Sequence, residues 1–203
     1  MRDKAFDRMF GTIVFGLVLF FVPFCTGWWI SYLLGSNSNY VLGIGIALGV
    51  AGGIAANLLL LKKAVARLYS MKTWVMLCLL VLYSIGIFGF FMGVPVFNVL
   101  AGILTGVYIG RQAKVLNYDV THFSVRLKKA QWVSLSLLSM ICIASAILAL
   151  SDSHTAANLE GMFSLRFPLT TPVLVGIIFI GGIILVIAQF LLTKVSARLA
   201  YER

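Results

Sequence analysis

Charge is scarce in this sequence. Asp, Glu, Lys and Arg make up 11% of its 203 residues, and apolar residues make up 61%. A soluble domain carries roughly 25% charged and about 45–50% apolar residues. A water-soluble globule is therefore excluded, and so is a disordered chain, which needs the reverse composition. Cysteine is rarer still, with three residues. Cys25, Cys78 and Cys142 all lie in apolar runs and form no CxxC pair. They suggest no disulfide framework and read as packing residues.

The usual groups of chemistry are missing too. There is no GxSxG and no P-loop. His122 and His154 are far apart, with no His/Cys/carboxylate cluster of metal-ligand spacing. Asp119 and His122, three residues apart, could act as an acid–base pair. A solvated loop pair, or Asp119 and Thr121 capping a helix, is the plainer reading. No catalytic residue, metal or cofactor is expected, and the chain reads as a non-enzyme.

Long charge-free runs are what the sequence does have. Met9–Leu61 has no charged residue and is broken once, at Gly35–Asn39. Thr73–Gly110 is also charge-free and is divided at Gly93-Val94-Pro95. A bilayer core needs about 20 apolar residues per helix. Six spans are expected: Phe10–Leu34, Tyr40–Leu61, Thr73–Met92, Val94–Gly110, Gln131–Leu150 and Thr170–Thr193. The fold class is an all-α six-helix membrane bundle, one polytopic domain over residues 1–203. The first span is too long for a cleaved signal core and no A-x-A-like site follows it.

The net charge is +10, which in a soluble protein would suggest nucleic acid. With six spans, fifteen of the sixteen bases fall on one side and only Arg166 on the other. The two sides then carry +11 and −1. Cytoplasmic loops are rich in Lys and Arg, so both termini are expected inside the cell membrane, and no nucleic-acid partner is expected. Five spans would divide the bases eight and eight and erase the bias. Trp28, Trp29, Trp74 and Trp132 fall at span ends, the depth that suits an indole.

Glycine spacing is the sharpest pattern. Gly45, Gly49 and Gly53, and likewise Gly102, Gly106 and Gly110, are doubled GxxxG rows. In lipid, helices associate through close backbone approach at small residues. These six are candidate helix-packing residues, placing the second and fourth spans centrally and even against each other; packing within the monomer is the plainer reading, and a homo-oligomer seam or sliding surface is the alternative. Short outer connections pair the spans as three hairpins, and echoes such as Trp74-Val and Trp132-Val suggest related hairpins.

No charge lies inside a span, which argues against a buried proton relay. Asn57, Asn98, Thr105, Tyr108 and Gln189 are the candidate polar lining, with Tyr83, Ser84, Ser136, Ser139 and Ser145 as further uncharged polar groups. Buried amides in lipid need partners, so interhelical hydrogen bonding competes with a solute path. Lys62, Lys63, Arg67, Arg111, Lys128 and Lys129 are candidate contacts for anionic headgroups or a partner, with Arg111–Ala130 read as a basic inner loop. Outside, Leu159, Met162, Phe163 and Phe167 suggest an apolar helical face.

In size, basic charge and helix count the chain resembles the substrate-binding membrane subunits of vitamin uptake systems. In its Trp-led helices and Pro-containing outer turns it resembles the acid-resistance membrane proteins built from three hairpins. The expected role is a packing, scaffold or accessory component of a membrane complex. The alternative is a permease, channel or uptake subunit for a small neutral or weakly polar solute.

Overall fold

The computed structural model describes residues 4–35, 39–91, 93–163 and 169–202, and these are all-helical with no strand among them. The helices are α1 (Lys4–Leu34), α2 (Asn39–Ala66), α3 (Thr73–Phe90), α4 (Val99–Val115), α5 (Val120–Ser151), α6 (Thr155–Phe163) and α7 (Thr171–Glu202). Short 3₁₀ turns cover Leu68–Ser70 and Pro95–Asn98. Five helices, α1, α2, α3, α5 and α7, are long and apolar enough to cross a membrane. Their outer faces carry residues such as Leu33, Leu58 and Phe179, each more than two-thirds exposed. Lipid, not water, is the solvent that tolerates such faces.

The chain falls into two compact units, residues 1–72 and 73–203. In the first, α1 and α2 form an antiparallel hairpin. Gly27 and Ser31 face Gly45, Pro23 and Phe24 face Gly49, and Phe20 faces Gly53. A Cβ on Gly49 would lie 2.9 Å from the Pro23 carbonyl oxygen, and one on Gly53 2.8 Å from that of Phe20. Pro23 sits inside α1, where a neighbouring helix makes a proline break tolerable. Below the apolar stretch, the Tyr69 hydroxyl donates to Asp7 Oδ1 at 2.8 Å and ties the end of the hairpin to α1.

The second unit is built around α4. Its glycine row meets α7: Gly102 faces Gln189, Gly106 faces Thr193 and Ala197, and Gly110 faces Ala197 and Ala200. The contacts advance together along both helices, so α4 and α7 run parallel. The principal partner of α4 is thus α7, not the α3 that precedes it in the expected hairpin. The matching small row on α7 explains this: Thr193, Ala197 and Ala200 are all buried. Each glycine row is met inside its own unit, by α1 and by α7.

α3 reaches α4 through a turn at Gly93, whose φ of +82° is the left-handed conformation that glycine adopts freely. Phe91 and Phe97 stack across that turn with ring centroids 3.7 Å apart.

The expected inner loop Arg111–Ala130 is corrected. α4 continues to Val115 and α5 already begins at Val120. The link is a Schellman close. Asn117 adopts φ 53°, Tyr118 N–H donates to the Ala113 carbonyl and Asn117 N–H to that of Lys114. Asp119 then caps α5, accepting from His122 N–H. Phe123 and Leu127 bury against Ala113 and Ala197, and Phe123 stacks on Tyr201 at 4.5 Å. That packing makes the segment helical despite its charges. α7 likewise runs past Thr193 to Glu202. Between α5 and α7 lies α6, and the Glu160 carboxylate at its end accepts from Leu169 N–H. The side chains of Arg2, Lys4, Met162, Phe163, Arg166, Phe167 and Arg203 lie outside the described residues.

Candidate functional site

The second unit concentrates the buried polar groups along α4, α5 and α7. Gln189, 2% exposed, uses its Nε2 to donate to Ser134 Oγ on α5. One residue along α7, the Phe190 carbonyl accepts from Gln131 Nε2 at 3.1 Å. Asn98, 1% exposed, donates from Nδ2 to the Ser84 carbonyl of α3 at 2.8 Å. Among the described residues, three buried oxygens have no hydrogen-bond partner: Asn98 Oδ1, Gln189 Oε1 and Thr193 Oγ1. Unmet buried acceptors are costly in a dry interior.

A second polar chain lies at the other end of α4. Arg126 Nη1 donates to Gln112 Oε1 at 2.9 Å, and Gln112 Nε2 donates to the Tyr108 hydroxyl at 3.0 Å. The Arg126 guanidinium also lies 4.9 Å from the centroid of the Tyr118 ring, within cation–π range. The Tyr118 carbonyl accepts from the Tyr201 hydroxyl at 3.0 Å. Next to this chain, a groove of about 280 Å³ opens on α5, lined by Thr121, His122, Val125, Arg126 and Lys129.

The sequence candidates divide accordingly. Asn98, Thr105, Tyr108 and Gln189 all belong to the second unit. Thr105 Oγ1 only bonds back to the Ala101 carbonyl of its own helix. Asn57 belongs to the first unit, where its Nδ2 donates to the Gly16 and Gly53 carbonyls. Lys62, Lys63, Arg67, Lys128 and Lys129 are exposed. Arg111 is 3% exposed, so its reading as a headgroup contact is corrected. It lies in α4 beside the buried Gly110 and Gln112.

Asp119 and His122 are both exposed, their closest side-chain approach being 4.0 Å. The Thr121 hydroxyl, which donates to Asp119, and the His122 N–H hold that carboxyl below its ordinary value. This is a cap, not an acid–base pair. Among the described residues no three His, Cys, Asp or Glu side chains gather.

Ser134, Thr193, Gln131, Gln112 and Arg126 are site residues that the sequence pattern did not single out. A signal existed for Thr193, which follows Gln189 by one helical turn, with Ala197 one turn further.

No known family matches this chain, and no curated protein or solved structure shows a significant likeness to it. Its function is therefore argued from these residues alone.

Proposed function

We propose that this chain is a non-enzymatic, six-span protein of the cell membrane, both termini cytoplasmic, that serves as a packing or accessory component of a membrane complex. The observation that carries the role is the tightness of the α4–α7 seam. A Cβ on Gly102 would lie 2.5 Å from the Gln189 amide nitrogen and oxygen, which leaves no lumen there for a solute. The partners are the bilayer, its anionic headgroups at the basic face, and a membrane protein or a second copy of the chain.

The sixth span is supported by dimensions. α4 alone is about 26 Å long at 1.5 Å per residue. The preceding four-residue 3₁₀ turn adds about 8 Å, and the charge-free part of the two, residues 95–110, spans about 26 Å, a short span for a hydrocarbon core of about 30 Å. A side chain on Gly93 would begin 3.7 Å from Leu148 Cδ1, so the α3–α4 turn lies level with the last turn of α5. The parallel course of α4 and α7 also fits two spans of like direction. The orientation rests on the charge asymmetry.

Purification in mild detergent tests the role. Co-elution with a defined membrane partner, or as a discrete oligomer, is expected. A lone monomer in every detergent and lipid condition would overturn it. Labelling of cysteines placed in the terminal segments tests the topology, since reaction from outside intact cells contradicts the assigned orientation.

One observation favours a permease as the second reading: the unpartnered oxygens of Asn98, Gln189 and Thr193. Solute flux in liposomes that falls in Asn98→Leu and Tyr108→Phe variants would promote that reading.

A further inference from the structure

We propose that the groove on α5 is a binding site for the phosphate of an anionic phospholipid whose acyl chain lies along the same helix. The inference rests on the six-span reading, which puts this end of the second unit at headgroup level. Arg126 and Lys129 supply two cations to one groove of about 280 Å³, with His122 and Thr121 beside them. That volume lies below the roughly 300–1,000 Å³ of enclosed small-molecule sites, and all its lining residues belong to α5, which suits a headgroup resting on the helix surface. Arg126 is held in place by Gln112 on one side and the Tyr118 ring on the other. A guanidinium has five donors in a fixed fork that matches phosphate, and the Gln112 bond uses one. The nearby carboxylate, Asp119, is engaged by the Thr121 hydroxyl and the His122 N–H.

The occupant is a lipid because of the surface that continues from the groove along α5. The positions after Lys129 on that face are Trp132, Met140, Ile143 and Ile147, each at least 60% exposed. With the exposed Ser136 between Trp132 and Met140, steps of three and four residues make one stripe along α5. An anionic head over Arg126 and Lys129 thus places its chain on a strip that starts with an interfacial tryptophan and is apolar except at Ser136. A soluble phosphate would use the bases and leave the strip unused.

The test uses the full-length protein in mild detergent, offered phosphatidic acid, phosphatidylglycerol or phosphatidylcholine, with retained lipid read by native mass spectrometry. Retention of the anionic lipids over phosphatidylcholine is expected. Each base near a charged surface contributes about fivefold, so Arg126→Gln with Lys129→Gln should weaken retention about thirtyfold. Lys129→Gln alone, at an exposed position, should keep the elution profile and lose about fivefold. Arg8→Gln with Lys72→Gln, the same charge change at two exposed positions of the first unit, should leave retention unchanged. Equal loss in that control, no loss in the α5 variants, or displacement by inorganic phosphate at matched concentration would each overturn the proposal. Alkaline extraction of cell membranes separates the two levels. Release of the wild-type chain defeats the membrane reading itself, whereas firm membrane residence without lipid preference defeats only this site.

Discussion

The side-chain amide of Gln189 occupies the space where a side chain on Gly102 would begin, 2.5 Å from the ideal Cβ position at both Nε2 and Oε1. The same amide is anchored to Ser134, so α4, α5 and α7 are locked through one residue. Gly102→Ala must push the amide aside and strain the Ser134 bond. Overpacking of this kind costs roughly 1–3 kcal/mol. Unfolding of Gly102→Ala, Gln189→Ala and the double variant in detergent should show strong coupling, the double variant losing less than the sum of the singles. Simple additivity would mean that the two residues do not compete for space.

Glycines in this chain should respond to alanine according to what lies opposite them. Gly110 faces rigid groups: its Cβ would meet the Ala197 carbonyl carbon at 3.0 Å and Ala200 Cβ at 2.9 Å. Gly106 would meet the Ala197 nitrogen at 3.1 Å. Neither neighbour can rotate away, so Gly106→Ala and Gly110→Ala should lower the melting midpoint. Gly176 and Gly181 on α7 have open space around a Cβ. Alanine there gains up to about 1 kcal/mol of helix propensity and should leave the midpoint unchanged or raised. Thermal unfolding of the four variants side by side checks the ordering.

Much of the helical layout was legible because charge-free length is a direct physical requirement of the bilayer. The starts of α2 and α3 fall within one residue of the expected span starts, Tyr40 and Thr73. The extensions of α5 and α7 beyond the apolar stretch were hidden by their bases. Their apolar residues, Phe123, Leu127 and Ala197, form a narrow stripe among Arg126, Lys128, Lys129 and Lys194, and only packing reveals which stripe matters. The glycine spacing marked which faces of α2 and α4 could be approached, but not by what. A row of small residues carries no information about its partner, so the parallel α4–α7 pair could not be read from chain order. Arg111 misled for a related reason. Its place at the end of an apolar run suggested the interface, whereas α4 continues another turn and the side chain is buried.

Asparagines in the two units should differ in importance. Asn57 Nδ2 is shared between the Gly16 carbonyl at 3.2 Å, across the hairpin, and the Gly53 carbonyl at 3.0 Å, within α2. Only the first bond joins helices, and such bonds average about 0.6 kcal/mol in membrane proteins. Asn98 is fully enclosed, and its side-chain amide reaches α3. Asn57→Leu should therefore cost about 0.6 kcal/mol. Asn98→Leu should cost more, because a leucine of different shape must fit a fully enclosed site. Equal losses in equilibrium unfolding would contradict this ranking.

The cap at the start of α5 predicts an acid-sensitive contribution with a definite sign. The Asp119 carboxyl is held below its ordinary value by the Thr121 hydroxyl and the His122 N–H. A carboxyl whose folded value is depressed stabilises the fold fully above its unfolded value. That contribution fades as pH falls through the lowered folded value. Asparagine caps a helix about as well as aspartate but does not titrate. Asp119→Asn should therefore unfold near the wild-type midpoint at neutral pH and lose less on acidification, whereas Asp119→Ala should be weaker already at neutral pH. Melting curves of the three proteins over a pH series from neutral to below the carboxyl range check this. Wild type and Asp119→Asn falling in parallel would show that the Asp119 charge contributes nothing to holding α5 at its first turn.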